Sequence, residues 1–381
     1  MVYAVGTSAM PVPYTNVCRA PLPSSFQLTV ITVCRNVLDE LKATVESVLR
    51  QKAKGGITIE HVVVDGASTD GTPEWLAEQL AAGRIERYVS EPDRGIYDAM
   101  NKGINLARGE VLAFLNAGDW FLDVGLAPCV LPICNGAVES VAACTDFVPQ
   151  PGQIEYGKPQ YRQLYFRTPC CHQAFFASRA AYCRLGGYDA GHFICSADAD
   201  FMYRLHRESG EPRIVMDAVV HFSPGGISNS RGDRFSNEQV ELWWRNRDRI
   251  EQRCTDEKAY QMAFEAQVAY MCMSMDGWQL RHNLDIAEPL ERLKELCRMC
   301  AAHAHSLFAR CSLRFLAAAY LPHIKCRKRA TRAMRVLARF SMHACYIPAG
   351  NEYKREVWNP NTPITALPGL RQLCRLFHHA G

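Results

Sequence analysis

Four polar side chains that could bind a nucleotide or a cation each follow a different apolar run of the sequence. They are Asn36, Asp65, Asp93 and Asp119. Carboxylate and amide groups hydrogen-bond the base and ribose of a nucleotide, and a carboxylate also binds a hard divalent cation. Any one of them alone is better explained as an ordinary turn or helix-cap residue. Four at equivalent positions favour one shared ligand site.

The elements that must position these residues are visible in the hydrophobic pattern. Runs rich in β-branched residues predict buried strands, and the amphipathic segments between them predict helices. The predicted strands are Leu28–Cys34, Ile59–Val64, Ile85–Val89 and Val111–Leu115, and the predicted helices are Leu38–Leu49, one that begins at Pro73, and Gly95–Ala107. Such alternation predicts an α/β fold with a mostly parallel sheet and helices on both faces. The carboxyl ends of its strands meet at one edge, where open α/β sheets bind ligands.

The turn after the first predicted strand argues against a dinucleotide ligand. It reads CRNVLDE and lacks the glycines of the GxGxxG motif, which let a pyrophosphate approach the start of a helix. The GxxxxGK[ST] phosphate-binding motif is also absent from the sequence. A nucleoside diphosphate would then be neutralised by a divalent metal on a carboxylate, and Asp119 is the candidate.

The composition is that of an ordinary folded protein. Of 381 residues, 48% are hydrophobic and 22% are charged, which excludes disordered, collagen-like and coiled-coil chains. The apolar stretch 315–321 is far shorter than the about 20 residues of a membrane-spanning helix. Residues 1–25 contain several prolines and no signal-peptide pattern, so we expect a loose leader and a cytoplasmic protein.

Charge is distributed unevenly along the chain. The net charge is +4, yet residues 296–345 carry ten Lys or Arg and no Asp or Glu. Segments after residue 236 also read as helices without a recognisable catalytic motif. The imbalance predicts two bodies with different partners, the second of which could meet an anionic surface. A solvated basic helix face is the competing interpretation.

The 17 cysteines are spread along the chain, and their number is odd. Most are expected to be reduced, buried, small hydrophobic residues. The alternative is a zinc site in the C-terminal part, where soft ligands are closely spaced. These ligands are Cys297, Cys300, His303, His305 and Cys311.

Five sequence blocks, taken in order, resemble the family 2 glycosyltransferases, which have the Rossmann-like GT-A fold. The blocks are LTVITVCRN, VVVDGASTDGT, SEPDRGIYDAMNKGINLARGEVLAFLNAGD, CCHQAFFASRAAYCRLGGYD and SADADFMYRL. The resemblance covers roughly residues 27–228 and is closest to bacterial polysaccharide enzymes of the colanic-acid type. It implies transfer of a sugar from a nucleoside diphosphate sugar.

The resemblance assigns a nucleotide-binding role to five residues. It implies that Thr32 and Asn36 line the nucleotide pocket, that Asp65 hydrogen-bonds the base and that Asp93 lies beside the nucleotide. Ser228 matches a late loop that reaches the metal or diphosphate in members of the family. The donor would be a UDP- or GDP-sugar.

The resemblance also implies a metal cofactor, Mn²⁺ or Mg²⁺. The aspartate pair that commonly binds it in the family falls on Gly118 and Asp119, so the first carboxylate is missing here. His221, from the same late loop, is the second implied ligand. Diphosphate oxygens and water can complete the coordination of such a cation.

Catalytic and acceptor roles fall on two further blocks. Asp198 aligns with the catalytic base of the family, although Ala197 replaces the more common Glu. Asp200 is expected to point away from Asp198 on an extended segment and to brace the loop or cap the next helix. His172 and Gln173 match a pair that faces the acceptor.

The resulting expectation is an inverting glycosyltransferase that acts on a hydroxyl of a glycan or lipid-linked glycan. Its GT-A domain would span residues 26–235, and a helical, basic C-terminal region would span residues 236–381. Through residues 296–345 it would contact an anionic membrane surface as a peripheral protein on the inner face, and we expect no nucleic-acid partner. Gly118 and Ala197 leave open a catalytically degenerate sugar-nucleotide-binding protein, and a sugar nucleotidyltransferase is the other alternative.

Overall fold

The computed structural model of the protein describes residues 25–150, 153–223, 232–282, 287–304 and 307–321. The strands in these residues are β1 Leu28–Cys34, β2 Ile59–Asp65, β3 Arg87–Ser90, β4 Val111–Phe114, β5 Trp120–Phe121, β6 Ser140–Gln150, β7 Gln153–Gly157, β8 Phe175–Ser178 and β9 Arg213–Phe222. They form one mixed sheet in the order β3-β2-β1-β4-β8-β6-β9-β5, and β7 pairs with β6 at its side.

The helices follow the strands in alternation in the first half of the chain and then succeed one another. They are α1 Leu38–Lys54, α2 Thr72–Ala81, α3 Ile96–Leu106, α4 Ala127–Cys134, α5 Arg179–Leu185, α6 Ala197–Ser209, α7 Gly232–Arg245, α8 Arg247–Asp256, α9 Lys258–His282, α10 Ala287–His303 and α11 Leu307–Phe315. The predicted helical character of the C-terminal region is confirmed in its described residues.

The parallel half of the sheet is built around β1. Leu28 lies opposite Ile59 of β2 on one side and opposite Val111 of β4 on the other, and both pairings are parallel. All residues of β1 are buried, as expected for a strand that helices cover on both faces. The predicted α/β fold class is confirmed, and the four predicted strands all exist.

One predicted helix ends later than its pattern suggested. We predicted α1 to stop at Leu49, but it continues to Lys54 and ends at Gly55, whose φ is 72°. Gln51 is the reason that the pattern appeared to stop, because it is polar and yet buried. Its Nε2 donates a hydrogen bond to the carbonyl oxygen of Leu122 at 2.7 Å, so it packs inward like the apolar residues before it.

The other half of the sheet adds antiparallel pairs that the sequence analysis did not assign. β4 pairs with β8, β8 with β6, and β5 with β9, all antiparallel. The β5–β9 pairing sets Trp120 opposite His221. The segment after β9 thereby reaches the carboxyl edge of β4, where the polar residues of the parallel half are found.

The chain divides into two compact units, Met1–Ile250 and Glu251–Gly381. Helix α7 belongs to the first unit, where Trp243 donates its indole N–H to the carbonyl oxygen of Phe166 at 3.0 Å. The predicted domain boundary after residue 235 stays a prediction. Residues 1–24 of the predicted leader lie outside the described residues.

The second unit consists of helices in its described part. None of the described helices is long and apolar enough to cross a membrane. The Sγ atoms of Cys272 and Cys297 are 3.5 Å apart, but the described residues contain no group of three His, Cys, Asp or Glu that could hold a metal. His305 and residues 322–345 of the basic stretch lie outside the described part.

Candidate functional site

The loops after β1 and β2 are joined by hydrogen bonds at the carboxyl edge of the sheet. Asn36, with a φ of 54°, donates its backbone N–H to Ser68 Oγ at 2.7 Å. Its side-chain Oδ1 accepts from the backbone N–H of Thr69 at 2.8 Å. The exposed Asn36 therefore lies where the sequence analysis placed it, and its amide orders the neighbouring loop.

Asp65 occupies the same edge but is fully buried. Its Oδ2 accepts from the backbone N–H of Ser68 at 3.0 Å and from the hydroxyl of Ser90 at 2.6 Å. The hydroxyl of Ser68 donates to Oδ1. In this arrangement Asp65 ties the β2 and β3 loops together, and protein groups already bind both of its carboxylate oxygens.

Asp93 and Gly66 approach each other closely. Asp93 Oδ1 accepts from the N–H of Gly95 at 2.9 Å, while a Cβ added at Gly66 would overlap Asp93 Oδ2. The same Cβ would lie 3.3 Å from Cδ of Arg35. A side chain at position 66 would require the Asp93 carboxylate to shift, and the Arg35 side chain also lies beside Gly66. The sequence analysis missed Arg35, although its place directly after β1 was a usable signal.

Thr32 is not at this edge. It lies inside β1, fully buried, with Oγ1 2.9 Å from Nε2 of His61 on the neighbouring strand. Burial lowers the pKa of His61 to about 3, so the imidazole is neutral and can accept a hydrogen bond from the threonine hydroxyl. The structure thus gives Thr32 a partner within the sheet and does not bring it together with Asn36, Asp65 and Asp93.

Asp119 follows β4 in a tight turn. The turn passes through Gly118, whose φ of 99° lies in the left-handed region that favours glycine, and it closes with a 3.0 Å hydrogen bond from the Asp119 N–H to the Asn116 carbonyl. Thr44 of α1 donates its hydroxyl to the Asp119 carbonyl at 2.8 Å. This backbone conformation favours glycine at position 118, where the resemblance implies an aspartate in related enzymes.

The Asp119 carboxylate is only 6% exposed, and protein groups bind both of its oxygens. Oδ1 accepts from the Ser223 N–H at 2.7 Å, and the side-chain amide of Gln173 donates to Oδ2. Burial raises the pKa of Asp119, and these two hydrogen bonds oppose that rise. A positive charge arriving here would meet a desolvated carboxylate, which binds cations strongly.

His221, the second predicted metal ligand, has its own partners. Its Nδ1 lies 2.7 Å from Asp146 Oδ1, and its ring stacks on Trp120 at a centroid distance of 4.0 Å. The described residues contain no group of three His, Cys, Asp or Glu that could hold a metal, so they offer Asp119 as one carboxylate ligand. They fit a cation that takes most of its ligands from a diphosphate and water.

Asp198 lies in the first turn of α6 and is 15% exposed. Tyr97 donates its hydroxyl to Oδ1 at 2.8 Å, and Nδ1 of His172 lies 3.5 Å from Oδ2. We predicted an extended segment here, but Asp198 and Asp200 both lie in helix α6. Asp200 still points elsewhere, and its Oδ2 accepts from Arg204 Nε at 2.7 Å.

The pair His172 and Gln173 connects the two aspartates. Gln173 is fully buried, its Oε1 accepts from the Asn116 N–H at 3.0 Å, and its amide N–H binds Asp119. His172 Nε2 lies 3.4 Å from the side-chain amide nitrogen of Asn116, while its other nitrogen faces Asp198. One continuous set of contacts therefore runs from Asp119 to Asp198.

A glutamate that sequence reasoning missed holds the loop before Asp198. Glu238 of α7 accepts the backbone N–H of Ile194 at 2.8 Å and that of Cys195 at 2.9 Å. Burial raises the pKa of Glu238, and the backbone hydrogen bonds oppose the rise. No local pattern could have found this contact, since Glu238 is more than 40 positions further along the chain.

The site therefore has two groups of predicted residues. Asn36, Asp65 and Asp93 surround the loops of β1 to β3, whereas the second group links a buried carboxylate to a more open one. Members of the second group are Asp119, Gln173, His172 and Asp198, with Tyr97 and Asn116 as residues that sequence reasoning missed. Ser228 lies outside the described residues.

The sequence of this chain is similar to those of known glycosyltransferases. A family model described as glycosyl transferase family 2 matches residues 29–185. An uncharacterised glycosyltransferase of Mycobacterium tuberculosis is 30% identical over 218 residues, an alignment that covers 55% of this chain and 80% of that protein. A PGL/p-HBAD biosynthesis glycosyltransferase of Mycobacterium bovis is 30% identical over 211 residues, covering 54% of this chain and 80% of the relative.

A solved structure is similar over most of the chain. The crystal structure of S. aureus TarS in complex with UDP matches with a TM-score of 0.56 and 14% identity, covering 83% of this chain and 91% of that one. At 14% sequence identity the similarity shows a shared fold, a sheet covered by helices on both faces.

Proposed function

The chain belongs to glycosyltransferase family 2, and from this premise we propose that it is an inverting enzyme that transfers a sugar from a nucleoside diphosphate sugar to a hydroxyl group. The acceptor would be a glycan or a lipid-linked glycan. Asp198 is the general base in this proposal, and Asp119 holds a divalent metal on the diphosphate.

The observation that carries the proposal is the chain of contacts from Asp119 to Asp198. Gln173 binds the first carboxylate, His172 faces the second, and the two residues are consecutive. Sugar transfer needs a negatively charged leaving group to be stabilised at one end and a hydroxyl proton to be removed at the other. The segment His172-Gln173 contacts both carboxylates and so fixes their relative positions. Stabilising the leaving group and removing the proton require such a fixed arrangement.

The nucleotide would lie along the loops of β1 to β3. Asn36 is exposed there, Asp93 is partly exposed, and Asp65 supports the serines that face the ligand. TarS, which shares this fold, was crystallised with UDP, so uridine donors are the first to test. Ser228 keeps its proposed nucleotide role, and Thr32 would act from inside the sheet.

The metal, Mn²⁺ or Mg²⁺, would be held by Asp119 together with diphosphate oxygens, and His221 could add its second ring nitrogen. Bound there, the cation would neutralise the charge that develops on the departing diphosphate. Asp119 itself is oriented by Ser223 and Gln173, which leaves each carboxylate oxygen a further lone pair.

The proton transfer would be performed by Asp198. Its carboxylate accepts the proton of the acceptor hydroxyl while the oxygen of that hydroxyl bonds to the anomeric carbon. The bond from the anomeric carbon to the diphosphate breaks at the same time, and its electron pair stays on the phosphate oxygen. Attack from the face opposite the diphosphate inverts the anomeric centre. Gln173 is fully buried, so His172 is the member of the pair that would meet an acceptor.

A donor panel tests the proposal. UDP-glucose, UDP-N-acetylglucosamine and GDP-mannose would be added with Mn²⁺ or with EDTA, and thermal unfolding and nucleoside diphosphate release would be recorded. Binding to the native state raises the unfolding temperature, so one donor should raise it with Mn²⁺, and its sugar should pass to water with release of the nucleoside diphosphate. Binding without any release would favour the degenerate binding protein. Release of pyrophosphate from a nucleoside triphosphate and sugar phosphate would favour the nucleotidyltransferase.

The basic stretch would bring the enzyme to a lipid-linked acceptor. Ten positive charges in residues 296–345 would attract an anionic membrane by about 1 kcal/mol for each charge near the surface. We expect co-sedimentation with vesicles of anionic lipid that weakens at high salt. The loss of this binding when Lys325, Arg327, Lys328 and Arg329 become Gln would support the role, and equal binding to neutral vesicles would contradict it.

A further inference from the structure

Tyr97 is the buried side chain that contacts Asp198. It lies in the first turn of α3, is 6% exposed, and donates its hydroxyl to Asp198 Oδ1 at 2.8 Å. The two residues are 101 positions apart in the sequence, so this bond joins the start of α3 to the start of α6. A neutral donor that is buried against a carboxylate fixes both its position and its side-chain rotamer.

The ring of Tyr97 cannot move without disturbing an aromatic cluster. Its centroid lies 5.4 Å from that of Tyr188, whose own ring is in edge contact with Phe114 and Phe201. Tyr188 is buried, and the side-chain amide of Asn101 in α3 donates to its carbonyl oxygen at 2.8 Å and accepts from its N–H at 2.9 Å. The packing of the Tyr97 ring against Tyr188 therefore holds the Tyr97 hydroxyl in place.

The protonation state of Tyr97 also suits a permanent donor. Burial raises the pKa of its phenol, and the negative charge of Asp198 raises it further. The phenol keeps its proton across the working range of an enzyme, so it can donate to Asp198 but cannot serve as the base itself.

We propose that Tyr97 is the positioning residue of the catalytic carboxylate, holding Oδ1 of Asp198 so that Oδ2 is the atom that receives the acceptor proton. This inference rests on the proposed function, because it assigns a direction to the base named there. Oδ2 faces the side of the site that His172 occupies, at 3.5 Å from Nδ1. In the transfer step, the acceptor proton moves to Oδ2, and Tyr97 keeps its own proton throughout.

The experiment compares Tyr97→Phe with Tyr203→Phe. The first variant deletes only the hydroxyl that binds Asp198 and keeps the ring in its cluster. The second deletes a buried hydroxyl from α6 that has no partner among the described residues, so it controls for the loss of a buried oxygen. Thermal unfolding establishes that both variants fold.

Tyr97→Phe should lower kcat for nucleoside diphosphate release about 10-fold, since a hydrogen bond to a charged group typically contributes about this factor. The unfolding shift that UDP with Mn²⁺ produces should not change. Tyr203→Phe should match the unsubstituted protein in both measurements. A kcat for Tyr97→Phe equal to that of the control would overturn the inference, and so would an equal loss of kcat and UDP binding, which would indicate a structural role.

A double variant separates this inference from the proposed function. If Tyr97 acts through Asp198, adding Tyr97→Phe to Asp198→Asn should leave the residual rate of Asp198→Asn unchanged. A further 10-fold loss would overturn the positioning role while leaving Asp198 as the base. High activity of Asp198→Asn alone would overturn both proposals.

Discussion

The two carboxylates of the site lie at opposite ends of one chain of contacts and differ in almost every physical respect. Asp119 is buried and has a protein N–H group on each carboxylate oxygen, whereas the side chain of Asp198 is 15% exposed and has one close donor, Tyr97. Asp119 is set by a turn with a positive-φ glycine, and Asp198 by the first turn of a helix.

The difference shows how one residue type can serve two tasks. A desolvated carboxylate in fixed hydrogen bonds attracts an arriving cation strongly, because opposite charges interact more strongly in a medium of low dielectric constant. A carboxylate with an accessible oxygen can exchange a proton with a ligand. In the proposed function, the environment of each carboxylate, and not its chemistry alone, sets its role.

Loss of the proton acceptor should have the largest effect. Asp198→Asn keeps the shape and the Tyr97 contact but cannot accept a proton, so transfer should fall about 10³-fold. Donor binding, measured as the unfolding shift with UDP and Mn²⁺, should stay within a few-fold of normal. If binding fell in parallel with turnover, Asp198 would belong to the nucleotide pocket and the contrast with Asp119 would disappear.

Loss of the buried carboxylate should affect binding as well as turnover. Asp119→Ala should reduce nucleoside diphosphate release on the order of 100-fold and remove the difference between Mn²⁺ and EDTA in nucleotide binding. Asp123→Ala is the matched control, because Asp123 is a nearby aspartate that is 81% exposed and pairs with Lys54. Retained Mn²⁺ dependence in Asp119→Ala would show that the cation is held elsewhere.

The connecting pair should separate framework from function. Gln173→Ala removes a buried partner of Asp119 and Asn116, so the free energy of unfolding should fall by about 1–3 kcal/mol. His172→Ala removes only the longer contacts, of 3.4 and 3.5 Å, and should lower stability less while raising KM for the acceptor. Chemical denaturation and acceptor kinetics give both values. An equal loss of stability in the two variants would mean that the contacts of His172 near Asp198 stabilise the fold as much as those of Gln173 near Asp119.

The smallest effect on ligand binding is expected at Gly118. Gly118→Ala and Gly118→Asp both place a side chain at a φ of 99°, which costs about 1–3 kcal/mol, while the nearest atom to the new Cβ, in Glu40, is 3.7 Å away. Both should therefore unfold at a lower temperature than the unsubstituted protein. The Asp variant should bind Mn²⁺ more tightly than the Ala variant in a titration by calorimetry. Equal affinities would indicate that this position does not face the cation.

Much of the framework of the site could be predicted from the sequence. Asn36, Asp65, Asp93 and Asp119 follow parallel strands, of which β1, β2 and β4 are fully buried and β3 is partly buried. A strand that helices cover on both faces stays apolar along its length, and this continuous apolar run identifies it in the sequence. The ends of neighbouring parallel strands then lie at the same edge as a matter of geometry. The block pattern also indicated the family, which the comparisons confirm.

The exposure and partners of each residue were decided only by the tertiary structure. Asp65 lies at the predicted edge but is fully buried and bound by Ser68 and Ser90. Thr32, which the family resemblance placed in the nucleotide pocket, is fully buried beside His61. Tyr97 meets Asp198 across 101 positions. Local periodicity reports on the few neighbours within one strand or helix, whereas such contacts depend on how distant elements pack, and many different packings are compatible with the same period.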